Sequence, residues 1–287
     1  MNEVTIIIKT FERKKSLICL LNSIQKFYPN FPIIIVDDSK INYKNEIINK
    51  FKNLNIDYII TEFDIGLSKG RNILLQNVKT KYFLLCDDDF EFDERTDIDK
   101  ALNIIKNNNI DILGGAIYEK VEVNSIISLL LLFKSPKRLL KFILGYESTR
   151  IYNGFFDIKK NEVIGKFNSN PKDFSINEFY KVDIVTNFFI ANTEKIKAIN
   201  GWQPEEVKLG EHTIFFIRCK QNDIKVAYSS YFGVKHHPFR TLSYHKYRNR
   251  SGEMTEYGFK NLGIKLYRVT DMKNNIVSEY LDKRYDN

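Results

Sequence analysis

Only three cysteines occur in the 287 residues, Cys19, Cys86 and Cys219, an odd and scattered set. They argue against a disulfide framework or a Cys-based metal site, and fit a reducing compartment with the thiols in the core. No stretch reaches the roughly 18 uninterrupted apolar residues that a spanning helix needs. The N-terminal run MNEVTIIIKTFERKK has too short an apolar segment and no cleavage-like site. It reads as a first strand rather than a signal peptide. Internal repeats and Gly/Ser- or Pro-rich linkers are lacking, which favours one domain with an appended C-terminal segment. A concentrated basic motif with base-stacking aromatics is lacking too, which argues against nucleic acid as a partner.

What is present suits a globular chain. Apolar residues make up 43% and charged residues 28%, enough to fill a core and solvate a surface. The net charge of +8, from 44 basic and 36 acidic residues, suits a phosphorylated ligand or an anionic membrane. Short apolar runs alternate with helix-period segments: Val4–Ile8, Ile33–Val36, Asp57–Ile60, Tyr82–Cys86 and Ile110–Leu113 read as strands. Between them, Leu17, Leu20, Leu21, Ile24 and Phe27 recur at helical spacing, as do positions in Leu67–Val78 and Ile98–Ile105. This alternation predicts an α/β fold with a doubly wound, mostly parallel sheet, whose ligands bind at the C-terminal strand ends. Further on, Val182–Ala191 reads as one long strand, with helices near Glu194–Ile199 and from Gly210 to Lys220.

The polar residues that stand out fall at those strand ends. Thr10 and Arg13 follow the first strand, Asp37 and Asp38 the second, and Asp87, Asp88 and Asp89 the fourth. Alternate residues point the same way, so Asp87 and Asp89 can converge on one ligand while Asp88 points elsewhere. Oxygen ligands of this kind suit Mg²⁺ or Mn²⁺, which also bind phosphate oxygens; a solvated turn would carry the same letters. FDIGLSKGRN, Phe63–Asn72, places two glycines with Lys69 and Arg71 before a helix, a pattern suited to phosphate. Together the three places describe a nucleotide-diphosphate pocket with a divalent metal.

The stretch IKTFERKKSLICLLNSIQKFYPNFPIIIVDDS, then FDIGLSKGRN, KTKYFLLCDDDFEF, ILGGA, VTNFFIANTEKIKAINGW and the HTIFF of GEHTIFF, resembles the ganglioside-type β-1,4-N-acetylgalactosaminyltransferases. More broadly the chain is similar to GT-A glycosyltransferases with a family-2-like nucleotide domain. The resemblance implies a GT-A catalytic domain over 1–239, with a nucleotide-binding half (1–116) and an acceptor half (117–239). A basic extension over 240–287 follows. It implies inverting transfer from a UDP-sugar, best UDP-GalNAc, with UDP-GlcNAc, UDP-Gal and UDP-Glc open. Carried over, Asp87 and Asp89 end a DxD-type motif. Asp89 would ligate Mn²⁺ or Mg²⁺ with His236 of YFGVKHHPF, and Asp87 would hold the ribose or the metal's water. Thr10, Arg13, Asp37, Asp38, Lys69, Arg71 and Asp88 join Asp87 in the donor site. Glu211 is the expected base; the acid that such enzymes carry two residues after His212 is Ile214 here. Trp202 and His212 are assigned to the acceptor, with a core plug the other reading of Trp202.

Two further expectations concern the surroundings. Ser125–Tyr146 combines Leu129–Phe133 with Lys134, Lys137, Arg138 and Lys141, the makings of an interfacial amphipathic helix or of a core helix with solvated lysines. With the missing leader, this implies a cytoplasmic protein, peripheral at the inner face of the plasma membrane, acting on a glycan or lipid-linked glycan. The Asn/Lys/Ile-heavy composition fits an AT-rich bacterial genome and a capsule or lipooligosaccharide product. The competing readings are a catalytically inactive, lectin-like sugar binder and a nucleotidyltransferase. The latter would carry a Gly-rich phosphate loop where this chain has KTFERKK.

Overall fold

Successive residues of a strand face opposite sides of a sheet, and in VTIIIKT both sides are apolar. Ile6 and Ile8 pack against Leu17, Leu20 and Ile24, while Ile7 joins Leu74, Leu75 and Phe83 in a second cluster. A sheet buried on both faces follows. The computed structural model describes residues 3–120, 133–150, 153–168, 177–237, 247, 251–271 and 273–282.

The first half runs β1 (Val4–Thr10), α1 (Lys14–Phe27), β2 (Pro32–Asp37), α2 (Lys44–Lys50), β3 (Asn55–Ile60), α3 (Leu67–Asn77) and β4 (Tyr82–Asp87). The short β5 (Phe90–Glu91), α4 (Ile98–Asn108) and β6 (Ile112–Lys120) complete it. β1 pairs in parallel with both β2 and β4, and β2 with β3. The Asp97 carboxylate accepts the Lys100 amide at 2.9 Å and so caps α4. The expected strands and helices are all present here, with β6 running on to Lys120.

Beyond it come α5 (Pro136–Ile143), β7 (Glu147–Arg150), β8 (Asn153–Lys159), β9 (Glu162–Asn168) and β10 (Tyr180–Val182). Then follow β11 (Phe189–Asn192), α6 (Thr193–Ala198), α7 (Glu211–Gln221) and β12 (Val226–His236). The last described elements are α8 (Ser251–Asn261), β13 (Leu266–Thr270) and β14 (Ile276–Leu281). The main sheet has the order β10-β12-β6-β11-β4-β1-β2-β3, with β5 on β12 and β7 on β6. A second sheet has the order β14-β13-β9-β8, in which β13 lies parallel to β9.

One strand reading is corrected. Val182–Ala191 is not a single strand: β10 ends at Val182 and β11 begins at Phe189. β11 is inserted antiparallel between β4 and β6, whereas β10 pairs with β12 on the far side of β6. One straight segment cannot occupy both places, so the chain crosses over through Thr186 and Asn187.

Candidate active site

The ends of β1, β2 and β4 and the start of α3 bring the first set of side chains together. Asp38 is fully buried and ion-paired to Lys9, and its other oxygen accepts the Gly66 amide at 3.1 Å. Gly66 has φ +89°, and a Cβ there would lie 2.5 Å from the Lys208 Cα. The expected loop glycine is therefore required for a left-handed, tightly packed turn. Asp37 is equally buried and accepts from the Ser39 amide at 2.9 Å and the Tyr58 hydroxyl at 2.7 Å. Burial, reinforced by Asp37, pushes the Tyr58 phenol far up, so it stays a proton donor.

The expected strand alternation is corrected: β4 ends at Asp87, and Asp88 and Asp89 form the turn after it, so Asp88 and Asp89 share Arg13 while Asp87 turns to Arg71. Thr10 donates to Asp88 at 2.7 Å. Arg13 spans two carboxylates, with one nitrogen on Asp88 and the other 2.6 Å from Asp89. Burial drives Asp88 up, against Arg13 and with help from Asp89. Burial also acts to raise Asp89, but Arg13 and His236 outweigh it and hold Asp89 down as a carboxylate. Asp87 is the most exposed of the three and is 3.2 Å from Arg71.

His236 arrives from the end of β12, whose register places it opposite Glu119 of β6 and Phe90 of β5. Its Nε2 is 3.3 Å from Asp89 and its Nδ1 3.3 Å from Glu119. The His237 amide donates to the Asp89 carbonyl at 2.8 Å, fastening the two segments. Burial alone would lower His236, but the two carboxylates lift it to about 9.

Arg71, 1% exposed, joins the halves: it pairs with Asp87 and with Glu211 at the start of α7. Glu211 is itself 4% exposed and lies behind that guanidinium. His212 is pushed down to about 3, by burial first and then by Arg71, so it is a neutral hydrogen-bonding group. A pocket of about 400 Å³ opens over these residues, lined by Arg13, Asp87, Asp89, His212 and His236 among others.

Two expected residues stand apart. Trp202 stacks on Phe215 at 4.5 Å and is 1% exposed, so the core-plug reading describes it and no ring face is open to a sugar. Lys69 is exposed on α3. Conversely, sequence reasoning missed Lys9, Glu119, Arg150 and Asn187. Lys9 is one residue before Thr10 at a strand end, a usable signal; the other three depend on strand pairings that no local pattern reveals.

A metal fits in part. Among the described residues no group of three or more His, Cys, Asp or Glu is arranged to hold one. Adjacent ligands of an octahedral Mg²⁺ or Mn²⁺ lie about 3 Å apart, and such ions take only one or two carboxylates beside phosphate oxygens. Asp89 and His236, at 3.3 Å, meet that spacing, so the pair suits a cation whose other positions are filled by a diphosphate.

Residues 5–164 match the domain family described as glycosyl transferase family 2. Over 116 residues the chain is 38% identical to β-1,4 N-acetylgalactosaminyltransferase 2 of Mus musculus, covering 40% of this chain and 22% of that protein. Over 220 residues it is 30% identical to β-1,4 N-acetylgalactosaminyltransferase 1 of the same organism, covering 75% and 35%. The chain therefore matches about a third or less of the length of these curated relatives. Among solved structures, S. aureus TarS 1-349 in complex with UDP-GlcNAc superposes with a TM-score of 0.55 at 18% identity, over 84% of this chain and 61% of that one. GalNAc-T7 with UDP, GalNAc and Mn2+ gives 0.58 at 15% identity, over 83% and 43%. The fold is that of the GT-A glycosyltransferases.

Proposed function

This chain belongs to glycosyl transferase family 2, and from that premise we propose that it transfers a sugar from a UDP-sugar to a glycan with inversion at the anomeric carbon. The observation that carries the reading is the convergence of Asp87, Asp89, Arg13 and His236 on one pocket at the C-terminal strand ends, with the buried Arg71 paired to Asp87. GalNAc is the favoured sugar, supported by the relatives' names; UDP-GlcNAc, UDP-Gal and UDP-Glc are the alternatives. Asp37 and Asp38, held rigidly by their own partners, would face the nucleoside. Asp89 and His236 would hold Mn²⁺ or Mg²⁺. When bound, that ion neutralises charge on the departing diphosphate.

The residues of the chain do the rest. Arg13 and Arg71 supply fixed positive charge beside the carboxylates, and preorganised charge of this kind needs no rearrangement as the diphosphate leaves. Glu211 would take the acceptor hydroxyl's proton. Its buried pair with Arg71 favours a second role, fixing that guanidinium against Asp87.

We also place the enzyme at an anionic membrane, the inner face of the plasma membrane, with a bacterial surface glycan as product. Support comes from α5 and its flanks, where Phe133, Leu140, Ile143 and Leu144 are exposed beside Lys134, Lys137 and Lys141. Residues 125–132 of the expected segment, and the Arg138 side chain, lie outside the described residues. No described helix is long and apolar enough to cross a membrane. Binding to anionic vesicles should fall with salt and in K137E/R138E, at about 1 kcal/mol per cation; vesicles ignored by the wild type would remove the claim. The function itself is tested by UDP release from the four UDP-sugars, with and without Mn²⁺. Release should be fastest from UDP-GalNAc, and no release from any of them would reject the reading.

A further inference from the structure

A hollow of about 550 Å³, larger than the pocket over Asp89, lies between α3, α6 and the loop that follows α6. It shares no described lining residue with that pocket. Its volume falls in the range of small-molecule sites. The wall is polar: Asn72 and Gln76 come from α3, Lys197 from α6, and Asn200, Gln203 and Glu205 from the loop.

The wall is held in place by its own contacts. Asn72 is 5% exposed, and its carboxamide grips the Trp202 backbone at both ends. It donates to the Trp202 carbonyl at 2.8 Å and accepts from the Trp202 amide at 2.8 Å. The same nitrogen also donates to Glu205 at 2.9 Å. Asn200 and Gly201 both take left-handed backbone, and a Cβ on Gly201 would lie 2.4 Å from the Asn72 oxygen. Arg218 donates to the Gly201 carbonyl at 2.6 Å, and Lys197 to the Val78 carbonyl at 3.0 Å, which ties α6 to the end of α3. A wall fixed in advance loses little conformational freedom when a ligand arrives.

The groups left over on that wall select the ligand. The side-chain amides of Gln76, Asn200 and Gln203 make no hydrogen bond among the described residues. Each carries donors and an acceptor side by side, the match for a hydroxyl, which both donates and accepts. The charged lining groups are one carboxylate, Glu205, and one ammonium, Lys197, so the wall has no net charge to draw in a phosphate or a polyanion. Among the described lining residues there is no aromatic ring, and Leu75 is the one aliphatic side chain. A nucleobase therefore finds no stacking platform there, and an apolar peptide side chain finds no pocket. A neutral, polyhydroxylated ligand fits what remains.

The hollow shares its frame with the active site. Asn72 follows Arg71 on α3, and the Arg71 guanidinium lies 5.7 Å from the centre of the Trp202 ring. That ring in turn stacks on Phe215 of α7, the helix that begins with Glu211. A ligand in the hollow would thus rest on the elements that carry Arg71 and Glu211, without entering their pocket.

We propose that this hollow is a second binding site, for a neutral saccharide, separate from the active pocket. It goes beyond the transfer reaction, because the binding needs neither UDP nor a metal.

The test is an NMR titration of the isotope-labelled full chain with lactose, N-acetyllactosamine, maltose and chitobiose, with and without saturating UDP and Mn²⁺. At least one disaccharide should shift the side-chain amide signals of Gln76, Asn200 and Gln203 with a dissociation constant of ~1 mM, the same in both conditions. Q76A/Q203A should weaken that binding by about tenfold or more, the loss of two hydrogen-bonding groups, with UDP affinity and circular dichroism unchanged. N200G, which suits the left-handed backbone at that position, is the second variant and should weaken binding as well. No shift of those signals by any of the four sugars up to about 20 mM, or unchanged binding in both variants, overturns the site. Displacement of the saccharide by UDP would put it in the active pocket and also overturn the site. A wild type that binds a disaccharide here but not UDP would instead fail the transferase reading and leave this one standing.

Discussion

At the ends of β1, β2 and β4 the chain buries its carboxylates and gives them cations or donors. The sheet β14-β13-β9-β8 instead leaves charges in water and apolar side chains partly uncovered. The Lys9–Asp38 pair is almost wholly buried, whereas Lys159–Asp157 on the second sheet is 76% and 56% exposed. Ile276 and Val277 on β14 are 60% and 67% exposed. An exposed pair contributes roughly 0–1 kcal/mol, while removing one partner of a buried pair costs about 3–5 kcal/mol. Replacing such a buried pair with apolar residues is often neutral or stabilising, so stability alone is a weak reason to keep one. The first region therefore reads as a device for holding charge in fixed places, and the second as cover.

The sharpest way to break this contrast is to remove one carboxylate from the cluster. D89A should abolish transfer while the circular dichroism of the protein stays native; full activity of D89A in chelator would sink the metal-site proposal. E211Q comes next. Loss of a general base typically costs ~10²–10⁴-fold in rate, so turnover should fall by that factor with UDP binding retained. Loss of UDP binding as well would reassign Glu211 to positioning Arg71. W202A acts on stability instead. Deleting a buried, stacked tryptophan should cost about 3–5 kcal/mol, read as a lower urea midpoint with an unchanged m value. A mild effect there would mean that the ring is not the core element its packing indicates. The smallest change belongs to the second sheet: I276S/V277S should move stability by no more than ~0.5 kcal/mol per site. A larger loss would mean that this face is covered in solution.

The same contrast explains what was legible in the sequence. β1, β2 and β4 are near-continuous apolar runs ending in Thr10, Asp37 and Asp87, so each strand end and its polar residue are adjacent in the chain. Local pattern therefore located Thr10, Arg13, Asp38, Arg71, Asp87 and Asp89, whose contacts are now visible. His236 came only through resemblance. Its partner Glu119 is 117 positions away and is brought close by β12–β6 register, which no local period encodes. Arg150 and Asn187 were missed for the same reason. The β9–β13 pairing, Val163 with Tyr267, is equally non-local. Trp202 shows a different limit: glycine and proline nearby make NGWQPEE look like an open loop, yet the ring folds back onto Phe215.

The central claim, that the paired charge cluster is a nucleotide-diphosphate site completed by a cation, is tested most directly by titrating UDP into the wild-type protein and D89N. Each titration is run once in Mn²⁺ and once in EDTA. The account predicts clear UDP binding by the wild type in Mn²⁺ and much weaker binding in EDTA, with D89N weak in both. UDP binding that is equally tight in all four titrations would contradict it.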